Sequence, residues 1–199
     1  MFDMGVHSGR RPLGVTWRLL ASLLIVLVSA GLPWLFAAAS GPPIQRVARL
    51  TLTFARPPAF LKILRHNLLI LTAEALGALT FGVMTMVVLA SVSYGTARIV
   101  LDATNRGMPP SIAILSLLPH GVFEIVAYLA GGVVGLSTWS AFPHLTVDRI
   151  ALKHTIVENA VHMTLSVFLL VLAAYIESHW TARIFMAVVP RTVLPGLTR

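Results

Sequence analysis

The chain has 199 residues, 57% of them hydrophobic and only 11% charged, which excludes a water-soluble domain and points to an integral membrane protein. The net charge is +8, but no basic patch carries interleaved aromatics, so anionic lipid headgroups are the expected partner and nucleic acid is not. Cysteine is absent, which excludes disulfides and thiolate metal centres.

Residues 1–18 read as a polar leader with Arg10 and Arg11. Residues 19–36 form the first predicted span, with Trp17 and Trp34 near its ends as interfacial aromatics do. The rival reading is a signal peptide cleaved near Ala37-Ala38-Ala39; a retained span is favoured. Residues 40–66 are basic and broken by Pro42-Pro43 and Pro57-Pro58. Arg46, Arg49 and Arg56 share a helical face, and Lys62 and Arg65 repeat the pattern. Short amphipathic helices lying on an anionic membrane surface would place them so, with lipid bound there. A solvated basic loop is the equal alternative.

Asn67 is a plausible N-cap for a second span over residues 68–90, about 35 Å long. It carries Glu74, with Gly77, Ala78 and Phe81 on the same side and Gly82 just beyond. Residues 91–108 turn small and polar, so the helix is expected to continue only partway. Pro109-Pro110 opens the next unit. Pro119 lacks an N–H donor and favours the first turn of a helix, so a span is predicted over 119–137, about 28 Å long. Residues 111–118 are then left as a half-helix, re-entrant or interfacial, meeting that span at a backbone break. One long kinked helix is the alternative.

Residues 138–155 are a polar connection containing Trp139, His144, Asp148, Arg149 and Lys153. Residues 156–177 form the last span, closed by Glu177, and 178–199 are a tail. The expected fold is one all-α, polytopic membrane bundle of about four spans plus the half-helix, multi-pass in the cell membrane. Basic residues nearly balance between the two sides, so orientation is not fixed.

All four glutamates, Glu74, Glu124, Glu158 and Glu177, fall inside or at the rim of apolar helices. Ionisable groups at that depth must face protein or water, because hydrocarbon penalises them heavily. The sharpest motif is Pro119-His120-Gly121 followed by Glu124, an imidazole and a carboxylate one helical turn apart. Ala127, Gly131 and Gly135 continue the same stripe, and Gly131-x-x-x-Gly135 is a helix-contact pattern. Its packing could lie within the subunit or across a dimer. His120 and Glu124 could hold a proton or cation, or could bond the freed backbone at the expected break.

A second stripe runs His154, Glu158, His162. Turn-spaced His and Glu can ligate a metal ion, but neighbouring Lys153 opposes a cation site. A buried hydrogen-bond ladder or a partly solvated helix start is the preferred reading. No other cofactor is expected. No phosphate loop or nucleophile–base spacing supports an enzyme.

Pro119-His120-Gly121 with Glu124, Ala130-Gly131 and Gly135 resembles the signature of the stage II sporulation protein M family. Asn67-Leu68 opening a span with Gly77 and Gly82, and the ending Ala173-Ala174-Tyr175-Ile176-Glu177, are similar to its other spans. The likeness covers roughly residues 60–180. It implies a polytopic α-helical protein without enzymatic activity, a scaffold for protein partners, a homodimer, or a small subunit of a membrane complex. The family's named member recruits cell-wall hydrolases to the membrane in spore-formers. The alternative is a channel or transporter moving a proton, cation or small solute past His120, Glu124 and Glu74.

Overall fold

The computed structural model describes residues 14–39, 59–105, 108–138, 149–181 and 183, and over these the chain is helical. Helix α1 is Gly14–Ala39, α2 is Phe60–Ala75, α3 is Val83–Asn105, α4 is Pro110–Gly135 and α5 is Arg149–Ile176. A 3₁₀ turn, Leu76–Thr80, follows α2, and a π turn, Glu177–Thr181, extends α5. Four stretches are long and apolar enough to cross a membrane: Val15–Leu35, Val83–Asn105, Pro110–Gly135 and Leu152–Thr181. The all-helical membrane bundle expected from composition is therefore present, but its segments are divided differently.

The span expected over 68–90 is two helices. The chain reverses at Phe81 and Gly82, whose φ angles are 50° and 80°. Thr80 holds the reversal: its hydroxyl donates to the Gly77 carbonyl at 3.2 Å and accepts from the Met84 N–H at 3.1 Å. The Gly82 N–H closes back on the Gly77 carbonyl at 2.7 Å. Helix α2, at 16 residues, is about 24 Å long and falls short of the hydrocarbon core. Asn67 lies inside α2, and Ala59 is its N-cap.

The polar stretch after residue 90 is the body of α3. Its hydroxyls fold back onto the carbonyls four residues earlier: Ser91 to Val87 and Ser93 to Leu89 at 2.7 Å, Thr96 to Val92 and Thr104 to Val100 at 2.9 Å. Satisfied this way, they neither break the helix nor demand water.

The half-helix at 111–118 and the span at 119–137 are one helix, α4. Pro110 occupies the first turn after the N-cap Pro109, so this proline pair, not Pro119, supplies the start signal. Pro119 sits in the interior and forgoes one backbone hydrogen bond. A complete break would free several backbone groups at membrane depth, which is the costlier outcome. Helix α5 begins at Arg149, earlier than the expected residue 156. The leader with Arg10 and Arg11, the Arg46, Arg49 and Arg56 segment, Trp139, His144, Asp148 and the tail beyond residue 183 lie outside the described residues.

Helix α4 contacts each of the other four. Its C-terminal half is nearly enclosed, with Ala127, Tyr128 and the run Ala130–Gly135 all buried. Contacts along α4 fix the helix directions. Asn67 meets Glu124 and Glu74 meets Gly131, so α2 runs parallel to α4. Thr85 lies at Gly135, and Val100 clusters with Ala113, so α3 runs antiparallel. Ser166 of α5 donates to the Ala127 carbonyl at 2.8 Å, and His120 meets Thr181, so α5 is antiparallel too. Arg18 of α1 donates to the Val133 carbonyl at 3.0 Å. The central apolar cluster is Leu71, Leu89, Ala127, Tyr128 and Leu170.

Gly77 and Gly135 permit the closest approach. A Cβ on either would land on the Thr85 side chain, whose hydroxyl donates to the Glu74 carbonyl at 2.8 Å. The Gly131-x-x-x-Gly135 surface thus packs within the subunit, against α2 and α3. The Thr138 hydroxyl donates to the Ala78 carbonyl and ties the end of α4 to the 3₁₀ turn.

Candidate functional site

Helix α4 carries His120, Gly121, Glu124 and Tyr128 on a shared face, and that face lines a cavity of about 770 Å³. Helix α2 supplies His66, Asn67, Ile70 and Ala73. Helix α3 supplies a softer wall that includes Val88, Ser91, Val92, Gly95 and Thr96. Glu177, carried into place by the π turn, completes the polar end. The cavity therefore has largely apolar walls, and its lining includes two carboxylates, two imidazoles and an amide.

His120 and Glu124 each have a separate partner. The His120 ring Nδ1 stands 3.1 Å from the Thr181 hydroxyl. The Thr181 hydroxyl also reaches back to the Ile176 carbonyl at 3.4 Å, so it links the His120 ring to the end of α5. Asn67 donates its amide N–H to Glu124 Oε1 at 2.7 Å. Neither side chain locks a broken backbone, because α4 is continuous there. Glu124 therefore faces a protein cavity and an amide partner, the environment that an acid in apolar sequence requires.

Glu74 is elsewhere. It is fully buried between α2 and α4, against Gly131 and Gly132, and does not line the cavity. Sequence reasoning grouped it with His120 and Glu124, whereas the structure separates it from them.

The His154, Glu158, His162 stripe does not converge. Glu158 Oε2 pairs with Arg18 at 3.3 Å, and the His162 ring bonds the Glu158 carbonyl at 2.8 Å. No group of three or more His, Asp or Glu is placed to hold a metal ion among the described residues. The metal reading of this stripe therefore has no geometric support.

Four residues were missed in the sequence. Arg18 was assigned to the leader, yet it is 1% exposed within α1. Its signal was a helical stripe of Arg18, Ser22, Ser29 and Pro33 inside an otherwise leucine-rich span. Ser22 belongs to that stripe. Tyr128 is one turn beyond Glu124. His66 adjoins Asn67, and nothing in its own neighbourhood marks it.

Residues 21–182 match the profile of the family described as Stage II sporulation protein M. The chain belongs to that family. It is also 27% identical over 128 residues to an uncharacterized protein of Methanocaldococcus jannaschii, covering 63% of this chain and 72% of the relative. No solved structure matches. The protein is thus an integral membrane member of the stage II sporulation protein M family, as the Pro119-His120-Gly121 motif implied.

Proposed function

We propose that this chain is a non-enzymatic, multi-pass protein of the cell membrane that binds and passes a small, positively charged solute through the cavity between α2, α3 and α4. The observation that carries this reading is the meeting of Glu124, Glu177 and His120 in one apolar-walled space of about 770 Å³. That volume suits a small organic molecule and is far larger than a bare ion needs. Two carboxylates favour a cationic group, apolar walls favour a hydrocarbon portion, and the His120 imidazole offers a place for an exchanging proton. Asn67 positions the Glu124 carboxylate. Exposed Lys62 and Arg65 at the start of α2 suit anionic headgroups.

The test is uptake of a small organic amine into proteoliposomes under a pH gradient. Glu124→Leu should abolish the protein-dependent flux while the protein stays folded. Flux unchanged by Glu124→Leu, or absent from the wild type, would remove the transport reading. Family membership supports a second reading, a scaffold or small subunit of a membrane complex with protein partners. In that case Glu124→Leu would leave flux at background while a defined membrane partner still co-purified with the variant.

A further inference from the structure

Glu74 is buried without any use in the cavity. It is 0% exposed, and neither carboxylate oxygen has a hydrogen-bond partner. Ser22 of α1 is equally enclosed, and its hydroxyl also has no partner. Both abut the same pair of glycines on α4. A Cβ built on Gly132 would strike the Ser22 hydroxyl and stand 3.3 Å from Glu74 Oε1. One built on Gly131 would stand 2.6 Å from Glu74 Oε2 and 2.6 Å from Leu71 Cδ1. The acid and the hydroxyl thus pack directly over two successive glycines, where no Cβ could be accommodated.

Three buried, unpartnered oxygen atoms at one helix seam are costly without a counter-charge or donors. The nearest cation along α1 is Arg18, one turn before Ser22. Its guanidinium bonds the Val133 carbonyl, Asn159 Oδ1 and Glu158 Oε2. No third acid or imidazole joins Glu74 to form a metal cluster among the described residues. One carboxylate neutralises one positive charge, so a divalent ion would remain under-compensated there. Hard oxygen ligands suit a small alkali cation.

We propose that the seam over Gly131 and Gly132 binds a single monovalent cation of sodium size, ligated by the Glu74 carboxylate and the Ser22 hydroxyl. The ion joins α1, α2 and α4 at one point. It stabilises the folded chain through mass action, because only the folded state brings the two ligands together. This site is separate from the cavity and stands without the transport reading.

The experiment is thermal unfolding of the purified full-length protein in detergent, titrated with sodium chloride against choline chloride at constant ionic strength and pH. The midpoint should rise saturably with Na⁺, and Li⁺ should substitute. Ser22→Ala should raise the half-saturating Na⁺ concentration by about tenfold, the equivalent of one weak ligand. Glu74→Gln, which preserves shape, should abolish the response. Glu124→Leu should keep it in full, which separates this site from the cavity. If Glu74→Gln does not fold, the wild type provides a second readout: Na⁺ should slow the attachment of a hydrophobic carbodiimide to Glu74, followed by peptide mass. A midpoint indifferent to Na⁺, labelling indifferent to Na⁺, or a response retained by Glu74→Gln would overturn the proposal.

Discussion

Arg18 and Glu158, 140 residues apart in the chain, meet at 3.3 Å and join the first helix to the last. The two ends of this bond differ in exposure: Arg18 is 1% exposed and Glu158 37%. The guanidinium also donates to the Val133 carbonyl, so α1, α4 and α5 share one polar junction. An arginine suits it because its planar donor fork serves several acceptors at once.

Removing either partner should therefore be unequal in cost. Glu158→Gln leaves a buried cation short of its counter-charge, and about 1–3 kcal/mol of stability should be lost. Arg18→Met leaves a carboxylate that can still reach solvent, but it also loses the Val133 and Asn159 bonds. A double-mutant cycle on detergent-solubilised protein should give a coupling above 0.5 kcal/mol, the level expected of groups in contact. Additive losses would show that the pair does not couple.

Asn67 and Glu124 form the corresponding bond at the cavity. Asn67→Leu should remove the amide donor that fixes the carboxylate, costing about 1–2 kcal/mol in stability. It should also weaken solute binding while leaving the fold intact by circular dichroism. Asn67→Gln keeps an amide but displaces it by a methylene, and should fall between the two. Equal behaviour of all three proteins would dissociate Asn67 from the site.

Glycines in α4 should divide sharply by position. A Cβ at Gly135 would collide with Thr85 Oγ1 and the Glu74 carbonyl oxygen, whereas one at Gly121 meets nothing within 4 Å. Gly135→Ala should lose at least about 1–3 kcal/mol through overpacking. Gly121→Ala should be neutral or slightly stabilising, because alanine favours the helical state. Comparing the two melting midpoints checks the packing of α2 and α3 onto α4 directly.

The reversal at Phe81 stores backbone strain. Its φ of 50° is one that an L side chain adopts at a cost, and the residue is half exposed. Phe81→Gly should be more stable than Phe81→Ala by about 1 kcal/mol, since alanine loses the same aromatic ring but keeps the strain. Equal stability of the two variants would place residue 81 outside the left-handed region.

Legibility in the sequence varied with the range of the forces involved. The motif around His120 and Glu124 was readable because a helical turn is a local property, and both side chains do face one cavity. The α2–α3 reversal was not, because Leu76 to Met84 remain apolar and the periodicity runs straight through the turn. Thr80-Phe81-Gly82 held the signal, in a hydroxyl acceptor and a glycine two residues apart. The polarity of α3 misled for the opposite reason: Ser91, Ser93, Thr96 and Thr104 look like loop residues until each hydroxyl is seen to bond its own helix.

Composition alone determined that the chain belongs in a membrane, that it is helical, and that its glutamates cannot face lipid, because these follow from the transfer cost of each residue taken singly. Only the tertiary structure decided the partners. Glu124 took Asn67, Glu158 took Arg18, and Glu74 took none of the described side chains, because pairings across 57 and 140 residues depend on which helix faces which. That choice was made by packing, through the glycines that let α2, α3 and α4 approach, and no local pattern encodes it.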